Sequence, residues 1–258
     1  MIFSRDQLRR MAARRHLGLG VLEKEYILEL VLRSISADEV LRQALVLKGG
    51  TALHHFYAGA RLSLDLDFTA TRPVTLDEIR PALELSELQA VIVEHQVFHD
   101  ALTIKRLRYV GPLSYPNSIK VDLSFREPVL LSPLDLVVES PYGESFVVRM
   151  MQPAEIAAEK LRALSTRQAP RDVYDLWVIA ARQLVDAQQI AALVPHKLAV
   201  VQVVMKPDVV MQHLAAVEPT WRSDLSALMT NVPDFAHVRS VLSPWLTDVF
   251  CRVDDKQG

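Results

Sequence analysis

Asp65 and Asp67 are the residues of this chain whose spacing speaks first of chemistry. They sit in Leu-Asp-Leu-Asp-Phe (64–68), which reads as a strand. Residues two apart on a strand point to one face, so the two carboxylates converge while Leu66 faces the core. Like charges this close are unfavourable unless a cation lies between them. Mg²⁺ takes hard oxygen ligands, commonly one or two carboxylates completed by substrate phosphates. A third acid, Asp122 in Ile-Lys-Val-Asp-Leu-Ser-Phe (119–125), is flanked by Val121 and Leu123 and points away from them. If its strand lies beside that of Asp65 and Asp67, three carboxylates meet. Such a group can hold two metal ions about 3.5–4 Å apart, one at an attacking oxygen and one at a leaving pyrophosphate. Taken singly, each feature is ordinary: an Asp-x-Asp is usually a solvated strand face, and many strands carry one acid on the wet side.

Lys48-Gly49-Gly50-Thr51 adds a place for phosphate. The apolar run 45–48 reads as a strand, the glycines as a turn, and Thr51 as the N-cap of a following helix. Glycines admit close backbone approach, and a helix N-terminus offers amide donors to an anion. Without the carboxylates, a Gly-Gly turn is simply a tight connection. Arg61 and Ser63 precede the acidic pair and either contact phosphate or nucleotide or order the loop.

The elements that must position these groups follow in order. Residues 4–16 form a helix capped by Ser4, and 22–36 form a second one with Ile27, Leu28, Val31 and Leu32 at helical spacing. After the strand–turn–helix at 45–58 and the strand at 64–70, residues 75–96 read as a helix with Pro81 as an interruption or boundary. Four strands follow, in the runs 101–110, 118–125, 135–140 and 145–150. From Pro153 onward the pattern is helical, broken near Pro195, Pro207, Pro219, Pro233 and Pro244. The change of character places a boundary between a first domain, 1–150, with N-terminal helices and a mixed core, and a helical second domain, 151–258.

Several separate blocks resemble one family. Leu-Lys-Gly-Gly-Thr-Ala-Leu (47–53) and Arg-Leu-Ser-Leu-Asp-Leu-Asp-Phe (61–68) are similar to the signature of AbiEii/MenT-type nucleotidyltransferases, toxins of bacterial abortive-infection and toxin–antitoxin systems. Residues 23–26, 153–164 and 171–179 resemble the family's EKDY-like, AEKL and RDxYDLW segments; nothing after 182 is recognised. Departures are mild: Glu25 stands where Asp is common, and Leu64 where Glu or a polar residue is frequent. The resemblance implies an α+β fold, with a polymerase-beta-like nucleotidyltransferase core built on a mixed sheet, plus N-terminal helices and a helical C-terminal domain. It implies Asp65, Asp67 and Asp122 as metal ligands and catalytic groups, and Lys48, Gly49, Gly50, Thr51, Arg61 and Ser63 at the nucleotide. It also ties Lys160 and Asp172 to activity, with Lys160 at phosphate. Read without the family, Lys160 is an ordinary helical lysine, and Asp172 and Asp175 are acids at a helix start.

The bulk properties bound the function. A formal net charge of −2 over 258 residues announces no nucleic acid, so a basic binding face must be local: Lys105, Arg106, Arg108 and Tyr109 on one strand, or Arg9, Arg10, Arg14 and Arg15 on the first helix. Cys251, the single cysteine, excludes an internal disulfide and reads as a small buried group. His95 and His99 have helical metal spacing without the glutamate of a zincin. His54 and His55 face different ways on their helix. Trp177, Trp221 and Trp245 read as core. No signal peptide or membrane span is visible, and a cytoplasmic protein is expected. The leading expectation is a toxin using Mg²⁺, or Mn²⁺ in its place, to move NMP from an NTP to a tRNA 3′ end, with a neighbouring antitoxin. The alternatives are a nucleotidyltransferase that modifies a protein or small molecule, and a module that binds nucleotide or a partner without catalysis.

Overall fold

The computed structural model describes residues 3–57 and 61–254, apart from the side chains of Phe56 and Asp254. The chain divides into two compact units, residues 1–151 and 152–258.

The first unit opens with α1 (Arg5–Arg15), fixed by a reciprocal cap: the Ser4 hydroxyl accepts from the Gln7 amide and the Gln7 side chain accepts from the Ser4 amide. α2 (Leu19–Ala37) buries Leu22, Tyr26, Ile27, Val31 and Leu32, and with them Glu23, Glu25 and Glu29. After α3 (Glu39–Ala44) come β1 (Leu45–Lys48), α4 (Gly49–Phe56), β2 (Asp65–Ala70) and α5 (Leu76–Leu83). Then follow β3 (Val91–Val97), β4 (Ala101–Val110), β5 (Pro116–Ser124), β6 (Leu134–Val138) and β7 (Phe146–Met150).

Among the described residues these strands make one mixed sheet in the order β3-β4-β5-β2-β1-β7-β6. The pairs β2–β5 and β1–β7 are parallel and the others antiparallel. β5 and β2 therefore lie in the middle. Leu66, Phe68, Val121 and Leu123 are buried on one face of these strands, each contributing roughly 1.5–3 kcal/mol of apolar burial. Period-two alternation then turns Asp65, Asp67 and Asp122 to the opposite face.

The helix expected over 75–96 is shorter than its pattern. Thr75 and Glu78 make a capping box, and Pro81 lies inside α5 without ending it; the helix stops at Leu83. The Val- and Ile-rich stretch beyond becomes β3, an edge strand held by antiparallel pairing to β4. Cross-strand pairing outweighs a helical pattern here because β-branched residues suit a pleated surface.

The second unit is helical: α6 (Pro153–Leu164), α7 (Pro170–Ala181), α8 (Ala187–Val200), α9 (Pro207–Ala216), α10 (Glu218–Ser226) and α11 (Phe235–Asp254). Leu161, Leu176, Ile190, Leu214, Trp221 and Leu246 are in its core. Pro207 and Pro219 stand in first turns, where the missing amide costs nothing. Pro195 and Pro244, expected to break helices, sit inside α8 and α11. Among the described residues no helix is long and apolar enough to cross a membrane.

Candidate active site

The register of β2 on β5 assembles the centre. Asp67 is the direct partner of Asp122, and Asp65 of Lys120. Paired residues on adjacent strands share a face about 4.8 Å apart, so three carboxylates and one ammonium form a compact square. On the other side of β2, Lys48 of β1 partners Asp67. The acids lie at half-buried positions, reachable from solvent.

Lys120 is the member sequence reasoning passed over. Its Nζ is ion-paired with Asp122 Oδ2. Burial acts to lower its pKa, but the Asp122 hydrogen bond and the charges of Asp122, Asp67 and Asp65 outweigh it and hold the ammonium charged. The signal was present: Lys120 stands two residues before Asp122 in a strand and must share its face. The other oxygen, Asp122 Oδ1, is buried without a hydrogen-bond partner among the described residues.

The glycine turn is built against this square. Gly49 has φ +71°, and a Cβ there would lie 2.7 Å from Asp67 Oδ2. A Cβ on Gly50 would collide with the Arg61 guanidinium. At Gly49 glycine is therefore required for conformation and for space, whereas a side chain at Gly50 would have to push the end of Arg61 aside. Thr51 is not the N-cap expected of it. α4 starts two residues earlier with Lys48 at the cap position, and the buried Thr51 hydroxyl donates to the Asp65 carbonyl at 2.7 Å. The Ser63 hydroxyl reaches the same carbonyl at 3.4 Å. The Thr51 hydroxyl thus ties the turn to the head of β2, and the Ser63 hydroxyl caps the same carbonyl from the preceding loop. Arg61 is buried and donates to the Leu62 carbonyl at 3.1 Å, so it orders the loop between turn and strand. Lys48 forms an ion pair at 3.8 Å with Glu127, a buried residue beyond β5 that no motif indicated.

A second network anchors α4 from behind. His54 Nε2 lies 3.1 Å from Glu25 Oε1, Arg15 donates to both Glu25 oxygens at 2.7 and 3.1 Å, and Tyr142 donates to Glu25 Oε2 at 2.8 Å. Burial pushes the Glu25 carboxyl up, but the hydrogen bonds from His54 and Arg15 and the charge of Arg15 prevail and bring it down to about 2. Burial, and then the charge of His54, holds the neighbouring His55 down to about 4.

Lys160 and Asp172 belong to the second unit and form a cluster of their own. Lys160 Nζ on α6 reaches Asp172 Oδ1 at 2.9 Å and Asp175 Oδ2 at 2.7 Å, both on α7. Arg167 Nε holds Asp172 Oδ2 at 2.7 Å. Both aspartates are buried. Burial raises the Asp172 carboxyl, and Lys160 and Arg167 more than reverse it.

Other sequence candidates fall outside the site. His95 lies on the exposed edge strand β3 rather than on a helix, and His99 is exposed beyond its end. Tyr109 is fully buried and contributes nothing to a basic face, whereas Lys105, Arg106 and Arg108 are exposed. Arg15 is committed to Glu25. Cys251 is exposed, not buried, because it falls on the outer side of α11. Trp221 is core as expected, its Nε1 donating to the Pro233 carbonyl at 2.8 Å; Trp177 and Trp245 are half-buried.

The donors here suit Mg²⁺: hard carboxylate oxygens on one face, one of them a buried orphan, beside a turn whose Gly49 packs closely on Asp67. Among the described residues no three His, Cys, Asp or Glu side chains already converge as a metal cage.

A mixed central sheet carrying paired acids beside a glycine turn, with a helical second unit, defines a nucleotidyltransferase fold. Its resemblance to solved structures is direct. MenT4, a nucleotidyltransferase toxin from Mycobacterium tuberculosis H37Rv, superposes with TM-score 0.72 at 20% identity, covering 99% of this chain and 92% of that one. JHP933 from Helicobacter pylori superposes with TM-score 0.62 at 19% identity, covering 93% and 96%. No curated protein sequence matches significantly. The family model "Nucleotidyl transferase AbiEii toxin, Type IV TA system" matches residues 30–244. The chain belongs to this AbiEii family of nucleotidyltransferase toxins, whose type IV systems pair each toxin with an antitoxin.

Proposed function

We propose that the chain is a Mg²⁺-dependent enzyme that transfers NMP from an NTP to the 3′ end of tRNA, blocking translation until an antitoxin counters it. The observation that carries this reading is the register pairing Asp67 with Asp122 on the face against which Gly49 is packed. It supports a place where phosphate and hard cation meet.

In the proposed reaction the acceptor O3′ forms a bond to the α-phosphorus, the bond from that phosphorus to the pyrophosphate oxygen breaks, and the hydroxyl proton leaves to a base. Bound Mg²⁺, held by Asp65 and Asp67, would supply positive charge to the phosphates. Asp122 would accept the hydroxyl proton or orient it. The amides of Gly49, Gly50 and Thr51 would receive phosphate oxygens. Thr51, Ser63 and Arg61 would keep the turn in place on β2. Much of the rate would come from holding reactants in line. Lys160 and Asp172 enter this reading through family resemblance alone, and Mn²⁺ would serve in place of Mg²⁺.

The test is incubation with each α-labelled NTP and Mg²⁺, in separate reactions with total tRNA, whole-cell protein and small-molecule acceptors. Label is expected on tRNA and released by digestion of its 3′ terminus. Label on protein or on a small acceptor instead would keep the enzyme and replace its acceptor. Absence of label from every acceptor would leave a non-catalytic binding module.

A further inference from the structure

The carboxylate square already contains a cation of its own. Asp65, Asp67, Lys120 and Asp122 occupy matched positions of two adjacent parallel strands. The Lys120 ammonium contacts Asp122 Oδ2 and lies within electrostatic reach of Asp67 and Asp65. The geometry points to Lys120 as the stand-in for a second divalent ion: the centre takes one Mg²⁺, on Asp65 and Asp67, and Lys120 fills the place where a two-ion site would hold the other. This rests on the nucleotidyltransferase reading above and deepens it.

Three observations converge. Three acids on one face need positive charge before any ligand arrives, and Lys120 is set among them by the β2–β5 register, with Lys48 of β1 beside Asp67 on the other flank. A second ion bridging to Asp122 would compete for Oδ2, which the ammonium already engages. Only Oδ1 is left over, buried and without a hydrogen-bond partner among the described residues, so Asp122 offers no open oxygen around which a second metal shell could form. Lysine suits this task because its ammonium is a compact point charge with three donors on a flexible stem. It can shift between Asp122 and a phosphate oxygen as substrate enters. Lys120 is therefore a positioning residue for Asp122 and a counter-charge for the centre.

The test counts metal and not turnover. The full chain is mixed with Mn²⁺ and, in turn, the α,β-methylene analogue of each of the four NTPs, which cannot lose pyrophosphate, and examined by native mass spectrometry. One Mn²⁺ per nucleotide-bound chain is expected. Lys120→Met should admit a second Mn²⁺, and Lys120→Arg should keep the count at one; circular dichroism melts establish that both variants fold. Two Mn²⁺ ions on the unmodified chain would overturn the inference and leave the enzyme reading standing. A single Mn²⁺ on folded Lys120→Met would also overturn it, since Lys120 would then exclude nothing. Nucleotide bound with no Mn²⁺ at all would bring down the metal-dependent reading together with this one.

Discussion

Two carboxylates decide most of the proposed chemistry, those of Asp65 and Asp67 on one strand face. Asn at either position keeps size and hydrogen bonding but removes the charge a cation needs. Asp65→Asn and Asp67→Asn are each expected to lower transfer by about 10³-fold or more, since metal charge at the transition state is worth several kcal/mol. Their melting temperatures should stay unchanged or rise, because like charges are relieved; label transfer alongside a thermal melt reads both. Gly50→Ala should fail differently. Its new methyl meets the buried Arg61 guanidinium, so that side chain must be displaced from the Leu62 carbonyl, and nucleotide affinity should fall together with a stability loss of about 1–3 kcal/mol. Calorimetric titration with an unreactive NTP analogue and urea unfolding measure the two. At this scale the sequence was informative where spacing alone settles direction, as for Asp65, Asp67 and Asp122. It was misleading for Thr51, whose hydroxyl serves the Asp65 carbonyl, because N-cap chemistry looks the same in sequence whichever backbone group it satisfies. Glu127 was invisible, since a buried carboxylate after a strand carries no periodic signature.

At the scale of elements, the site depends on how α4 and β2 are braced. The Glu25 network fastens α4 through His54 and fastens α1 through Arg15. Its pH dependence follows from two depressed values. His55, at about 4 in the fold against 6.5 ordinarily, binds its proton more readily when unfolded, so stability drops as pH falls from 6.5 towards 4. Glu25, at about 2 against 4.5, adds a further loss between 4.5 and 2. Each contribution is on the order of 2–3 kcal/mol. Urea midpoints should be level above pH 7, then decline in these two windows, and Glu25→Gln should flatten the lower one; a midpoint that holds constant from pH 7 down to 4 would contradict the His55 assignment. β2 and β5, whose apolar residues alternate around the acids, were legible, and so was β4 despite its register shift between Ile104 and Leu107. β3 was not, because Val91–Val97 gains its identity from pairing with β4 and nothing local records that partner. Pro195 and Pro244 were likewise overvalued as breaks, since packing on both sides keeps α8 and α11 continuous.

At the scale of the whole chain, the family covers residues 30–244, while the recognisable motifs stop near 182. The family match therefore runs through most of the later helices, where no motif for chemistry was recognised. Their stability draws on buried ion pairs. Lys197 is fully buried, 2.6 Å from Glu155 and 3.0 Å from Glu159. Lys197→Met removes the cation and leaves buried carboxylates behind, a loss of about 3–5 kcal/mol by urea unfolding. Lys197→Met with Glu155→Leu and Glu159→Gln should recover much of it, because a matched apolar replacement removes the stranded charge. Lys160 deserves the contrasting experiment. If it only bridges α6 and α7, Lys160→Arg should retain both stability and transfer. A fold-neutral Lys160→Arg that loses transfer by about 10²-fold or more would assign it to phosphate, where the shape of the cation matters.

The spatial claim beneath all of this is that the segments around 49–51, 65–67 and 120–122 surround one divalent ion. Replacing Mg²⁺ with Fe²⁺ and adding ascorbate and peroxide generates hydroxyl radicals at the bound ion, and mass spectrometry maps where the backbone is cut. Cuts are expected in those three segments together, suppressed by excess Mg²⁺ and absent from Asp67→Asn. Cuts confined to other parts of the chain, or the same three persisting in Asp67→Asn, would contradict the account.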